Sequence, residues 1–168
     1  MDLNNDALSR LNQRLKDCFL GDDTLSAFAE EEYFWSGQGF RGRLSIEVGN
    51  CFGIQEEHLL EIAVFTELLH NASLVHDDIV DSDHQRRGYQ TLWSKFGLSR
   101  ALLLGDLLIA KAFEVASVSN VDSFVKSQWT LSLSNAVSVA VRGALSELDF
   151  KVSDSDDLFS KYLQMANQ

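Results

Sequence analysis

Apolar positions recur along the chain at spacings of three and four residues, the repeat of one face of an α-helix. Leu8, Leu11, Leu15 and Phe19 carry the repeat through residues 3–20, and Leu25, Phe28 and Ala29 continue it through 24–35, with Thr24 placed as an N-cap. A shorter helix is predicted over 40–51, ending near Asn50 or Gly53. The long central helix runs over 56–81, and two further apolar helices follow over 99–119 and 121–150. Trp129, Leu131, Val137, Val141 and Leu145 fall inside the last of these. Ser153 reads as the cap of a final segment over 156–168. No alternating strand pattern competes, and neither an internal repeat nor a low-complexity linker is visible. Proline is absent, which fits helices joined by short polar connections. Helices this long, apolar around much of their circumference, belong inside a bundle. The pattern therefore predicts an all-α chain with one domain over 1–168.

Composition narrows the function classes. A chain of 168 residues, 45% of them apolar, can bury one real core. The net charge of −11 leaves no basic patch to follow a nucleic-acid backbone. Cys18 and Cys51 are isolated and read as reduced thiols of a cytoplasmic protein. The start, MDLNNDALSR, lacks the features of a signal peptide. The apolar stretch over 101–104 is broken by Gly105 and Asp106, so no segment is expected to span a membrane.

Chemistry concentrates in residues 70–88, HNASLVHDDIVDSDHQRRG. Asp77 and Asp81 are four apart, so their carboxylates share a helical face, and Asp78 sits beside Asp77. Like charges at this spacing destabilise a helix, and no lysine or arginine lies one turn away. Hard carboxylate oxygens suit Mg2+, which binds through one or two carboxylates plus substrate phosphates. Arg86 and Arg87 offer forked donors matched to phosphate oxygens. Acids for a metal beside arginines for phosphate point to a diphosphate site. The apolar neighbours Leu68, Leu69, Leu74 and Val75 place this helix largely in the core, where carboxylates are rarely left unpaired. His70, two turns before Asp77, points the same way. His70, His76 and His84 do not fall on one helical face, which argues against zinc. His76 reads as orienting a neighbour. Asp106 is polar inside an apolar helix and reads equally as a site neighbour or as a satisfied packing acid.

LLHNASLVHDDIVD, then RRG, TLWSKFG and LLLGDLL, resemble the first half of a trans-isoprenyl diphosphate synthase, also called a polyprenyl synthetase. The resemblance runs from about Gly39 to the end of the chain. It implies an isoprenoid-synthase-type helical bundle, truncated. It also implies a prenyltransferase that joins isopentenyl diphosphate to an allylic diphosphate. Asp77, Asp78 and Asp81 match the family's first aspartate motif, whose magnesium ions bridge to the allylic diphosphate and stabilise its departure. Arg86 matches the arginine on the allylic diphosphate, and Arg87 the one on isopentenyl diphosphate. His70, Arg41 and Arg43 match residues of the isopentenyl site. Ala72 and Ser73 are small where bulky aromatics would floor the product pocket, which implies a product longer than fifteen carbons.

The sequence also departs from the family pattern. Phe40 stands where the family's GKR lysine would fall, which removes a cation from the isopentenyl site. Ala144 stands in place of a glutamine, while Glu147 keeps the acidic position. The family's Lys-Thr pair and second aspartate motif would fall after residue 168. Asp154, Asp156 and Asp157 read as a solvated cap and not as a substitute for that motif. The resemblance therefore leaves several readings open: a truncated version of a full synthase, a short subunit that borrows the second half from another chain, a non-catalytic or regulatory subunit that binds prenyl diphosphates, and a terpene cyclase on the same fold. Half a bundle exposes apolar helix faces, so a homo-oligomer or pairing with a second subunit is expected.

Overall fold

The computed structural model describes residues 3–152. Helix α1 spans Leu3–Leu20, a 3-10 turn spans Leu25–Phe28, and short α2 spans Glu32–Trp35. Helices α3 (Phe40–Cys51) and α4 (Glu56–Val80) follow. A hairpin of β1 (Gln85–Arg86) and β2 (Tyr89–Gln90) leads into α5 (Leu92–Phe96), α6 (Leu98–Val118) and α7 (Ser123–Val152). Among the described residues the architecture is all-α apart from this two-stranded hairpin. The chain forms two compact units, Met1–Asp122 and a second beginning at Ser123. Within the second unit, α7 is one uninterrupted helix that carries Ala144 and Glu147. Ser153, the aspartates at 154, 156 and 157, and the segment over 156–168 lie outside the described residues.

In the first unit, α4 lies against α6 along one side and α3 along another. Its buried positions include Leu59, Ala63, Val64, Leu68, Ala72 and Val75, the stripe that helical periodicity requires. Leu104, Leu108, Ala112 and Val115 of α6 complete that contact layer. Close approach of α3 to its neighbours depends on small residues. A Cβ at Gly42 would meet Leu11 and the Glu67 side chain, and one at Gly49 would drive into Leu59.

The segment over 24–35 is broken where one continuous repeat predicts a helix. Thr24 makes no side-chain cap; the Asp22 carboxylate accepts from the Thr24 and Leu25 N–H groups at 2.9 and 3.0 Å. An uninterrupted helix would direct the Ala29 carbonyl to the amide four residues on. Here the Trp35 indole takes that carbonyl at 2.8 Å, and Glu31 is extended. Phe34 and Trp35 both stack edge-on against Phe19, at 5.0 and 5.4 Å between ring centroids. Burying consecutive aromatics on one partner outweighs continuing the helix.

Candidate diphosphate site

The site begins where α4 ends. Asp81 follows the last turn of α4, and its N–H donates to the Asp77 carbonyl at 2.8 Å, so these two carboxylates keep their one-turn spacing. Both are exposed. The Asp77 carboxyl is held above its ordinary range, first by partial desolvation and then by the Asp81 and Asp78 charges, with Arg86 opposing the shift. Two exposed hard-oxygen donors, one of them electrostatically crowded, fit a magnesium ion that takes its remaining ligands from phosphate and water. Among the described residues no three His, Cys, Asp or Glu side chains converge to hold a metal on their own.

Asp78 differs from its neighbours. It is 1% exposed and turned into the core. One of its oxygens accepts from the Tyr33 hydroxyl at 2.6 Å. The other accepts from Arg86 Nε at 2.7 Å and Nη2 at 2.6 Å. Sequence reading groups Asp78 with Asp77 and Asp81 as a metal ligand, but adjacent helical positions point about 100° apart, and here that rotation takes Asp78 away from solvent. The cation that the sequence lacks within one helical turn arrives from the hairpin as Arg86.

The hairpin is invisible in the sequence pattern, because strands of two residues leave no periodic trace. Gln85 pairs with Gln90 and Arg86 with Tyr89, leaving Arg87 and Gly88 as the two-residue loop. Both loop residues have positive φ, 53° and 85°, as the tight turn that matches the strand twist demands. For arginine this conformation is uphill by about 1–2 kcal/mol. The loop base is tied down by the Asp83 carbonyl, which accepts from Thr91 Oγ1 and Trp93 Nε1, each at 2.7 Å. His84 stacks on Trp93, with 4.7 Å between ring centroids.

Arg87 lines a cavity of about 340 Å³ together with Arg41, His70, Glu67, Trp35 and the exposed ring of Phe40. Arg41 donates to His70 Nε2 at 3.0 Å, which makes that nitrogen an acceptor and leaves the ring proton on Nδ1. Burial, followed by the charges of Arg41, Arg87 and Arg86, pushes His70 down to about 4, so the imidazole is neutral at physiological pH. Three guanidiniums around one neutral histidine make a local positive field in a strongly acidic chain. Buried Glu67 accepts from the Gly42 N–H at 2.7 Å and so satisfies an otherwise open donor in the first turn of α3.

The structure thus brings Arg41, His70 and Arg87 to one cavity, and links Arg86 to the aspartate motif through Asp78. Arg43 is half-buried on α3 and does not line the cavity. Ala72 is buried, and the Ser73 hydroxyl donates back to the His70 carbonyl at 2.8 Å; neither lines this cavity. His76 does contact a neighbour: its Nε2 donates to the Leu102 carbonyl at 3.2 Å and lies 3.5 Å from Asp106 Oδ1. Asp106 is exposed rather than a buried packing acid. Gly105 leaves the space for that imidazole, since a Cβ there would collide with it. Sequence reading missed Tyr33, Glu67 and Gly37. None sits in a recognisable motif, and each acquires its role from a partner distant in sequence.

Among the described residues no helix is long and apolar enough to cross a membrane. Comparison with known proteins returns one consistent picture. The family model for polyprenyl synthetase matches residues 23–168. The chain is 33% identical over 145 residues to a short chain isoprenyl diphosphate synthase of Methanocaldococcus jannaschii, covering 86% of this chain and 44% of that protein. It is 27% identical over 165 residues to a geranylgeranyl pyrophosphate synthase of Geoglobus acetivorans, covering 97% of this chain and 51% of that protein. The solved geranylgeranyl pyrophosphate synthetase of Geoglobus acetivorans superposes with a TM-score of 0.80 at 27% identity, over 98% of this chain and 54% of that one. The enzyme of the same description from Pyrococcus horikoshii gives 0.82 at 26% identity, over 96% of this chain and 50% of that one. The chain spans about half the length of the curated relatives it matches. With the family model matching most of its length and a relative one-third identical over 86% of it, the chain belongs to the polyprenyl synthetases.

Proposed function

We propose that the chain contributes the substrate-holding half of a magnesium-dependent prenyltransferase that condenses isopentenyl diphosphate with an allylic diphosphate. The observation that carries this reading is the pairing of two anion sites. One is the aspartate motif with Arg86, and the other is the Arg41, His70 and Arg87 cavity. One diphosphate is assigned to each. Asp77 and Asp81 would hold magnesium, which when bound supplies positive charge to the diphosphate oxygens. Arg86 grips the departing allylic diphosphate as its carbon–oxygen bond breaks. Arg87 and Arg41 hold isopentenyl diphosphate, and neutral His70 accepts from Arg41 and fixes its direction. The alkene then forms the new carbon–carbon bond and a proton is lost. Arg43, and the reading of Ala72 and Ser73 as small residues under a long product, rest on the family resemblance alone. The known proteins it resembles are named as synthases, which favours elongation over a regulatory or cyclase role. Association into an oligomer, or with a second subunit, belongs to the same proposal.

The test uses the purified chain with magnesium, farnesyl diphosphate and labelled isopentenyl diphosphate, with Asp77→Ala as control. Magnesium-dependent binding of farnesyl diphosphate by wild type, lost in Asp77→Ala, is the expected result, and a longer prenyl diphosphate from wild type alone would add turnover. Equal binding by both proteins, or binding indifferent to magnesium, would overturn the assignment.

A further inference from the structure

Arg86 is the cation of the allylic site in the reading above, yet its guanidinium does not stand alone. Its Nε and Nη2 are both committed to one oxygen of Asp78, at 2.7 and 2.6 Å. The fork carries further N–H donors besides these two. The direction in which they face is therefore set by Asp78. A carboxylate 1% exposed needs every lone pair answered, since burying an unpaired acceptor is costly. Arg86 answers one oxygen. The other is answered by the Tyr33 hydroxyl at 2.6 Å, a short bond of the charge-assisted kind. Tyr33 itself is 4% exposed and pinned by an edge-on stack on Phe34, 5.3 Å between centroids. Its phenol is pushed well above the ordinary range, first by burial and then by the Asp78 hydrogen bond and charge, with Arg86 opposing, so it remains a donor at any working pH. Among the described residues no buried side-chain polar atom lacks a partner, so removing this hydroxyl would create the first.

We propose that Tyr33 is a positioning residue for the diphosphate site: by holding one oxygen of Asp78 it fixes the other oxygen, and with it the guanidinium of Arg86. Tyr33 never touches the ligand. Its effect passes from α2 to the hairpin through the hydrogen bond to Asp78 on α4 and through its own contact with Arg86. Without the phenol, the Asp78 carboxylate is free to rotate and take the guanidinium with it. This inference rests on the reading of Arg86 as a diphosphate ligand, and two measurements separate its failure from the failure of that reading.

The first measurement needs no ligand. In 15N-labelled protein, Arg86 should give a resolved, slowly exchanging Nε–Hε resonance, assigned by its loss in Arg86→Ala. Tyr33→Phe should shift it and speed its exchange with solvent at least several-fold, and Asp78→Asn, which keeps the shape of the carboxylate, should do the same. The second is the affinity for inorganic pyrophosphate with magnesium, measured as a double-mutant cycle. Tyr33→Phe should weaken binding by about tenfold, the scale of one charged hydrogen bond, and should cost nothing further in an Arg86→Ala background. An unchanged Arg86 resonance in Tyr33→Phe would overturn the proposal, and so would an equal loss of affinity in both backgrounds, because a general structural defect is additive. If the resonance responds as expected but wild type ignores magnesium pyrophosphate, Tyr33 does position Arg86 and the diphosphate reading is what falls. Should Tyr33→Phe not fold, Tyr33→Met, which also removes the hydroxyl and fills the space with a flexible apolar chain, carries both measurements with the same expected signs.

Discussion

Arg87 lies against Gly37, and the missing side chain is what lets it. A Cβ placed on Gly37 would sit 2.6 Å from Arg87 Nη1. The atom in the way is the far end of a long side chain, so Gly37→Ala is relieved by moving the guanidinium and not by moving backbone. We expect it to change stability by less than about 0.5 kcal/mol. It should weaken isopentenyl diphosphate binding by roughly tenfold, the scale of one misaligned charged hydrogen bond. Thermal unfolding and titration calorimetry on the same preparation check both halves.

Arg87 itself occupies a left-handed loop position, φ 53°, that asparagine adopts at lower cost. Keeping arginine there trades stability for a charge at the cavity. Arg87→Asn should raise unfolding free energy by up to about 1 kcal/mol and lose isopentenyl diphosphate binding. A variant that is less stable than wild type would contradict the conformational account.

The raised carboxyl of Asp77 has a defined sign. Folding favours its neutral form, so its ionisation costs native stability as pH rises above the ordinary carboxylate value. Asp77→Asn should therefore stabilise the metal-free protein at neutral pH, by a few tenths of a kcal/mol for so exposed a group. The same variant should lose the stabilisation that magnesium with pyrophosphate gives wild type. Melting curves with and without the pair of ligands decide it.

His70 gives a second pH window with a different origin. Its folded value of about 4 lies below the ordinary 6.5, so the unfolded chain binds the extra proton between those values. Stability should be level above 6.5, fall as pH drops from 6.5 toward 4, and gain no further slope from this group below that. In His70→Gln the fall over that window should shrink, as read from denaturant midpoints at half-unit pH steps.

Phe40, Leu44 and Val48 repeat every fourth residue on α3 and are all exposed. Leu98, Leu102 and Leu103 of α6 are exposed as well. Apolar surface of this kind drives association. The chain should run as a dimer or larger at micromolar concentration, and Leu44→Glu or Leu102→Glu should shift it toward monomer. A light-scattering mass of one chain for wild type would end this expectation.

The long helices were legible because burial and period reinforce each other. Leu59, Ala63, Leu68, Ala72 and Val75 announce α4 without any knowledge of what covers them. The short elements were not. A hairpin with two-residue strands and the five-residue α5 are fixed by contacts such as Trp93 to the Asp83 carbonyl, which no periodicity encodes. The break before Tyr33 likewise follows from where Phe34 and Trp35 find Phe19. At the candidate site, residue types and spacing single out Asp77, Asp78 and Asp81 together with Arg86 and Arg87. They were silent on how Asp77 differs from Asp78. The two are the same residue type side by side, and only the distant Tyr33 and the core tell them apart.

Tyr33 and Asp78 are 45 positions apart in the chain. A contact that distant forms only after the intervening helices have docked, since closing so long a loop is unfavourable until packing offsets it. On the positioning proposed for Tyr33, alignment of Arg86 is then expected late in folding. A nascent or partly collapsed chain holds the same aspartates and arginines but not the fixed fork. On the proposed reading, tight capture of diphosphate would be reserved for chains whose tertiary structure is complete, and affinity for pyrophosphate would double as an assay of correct folding.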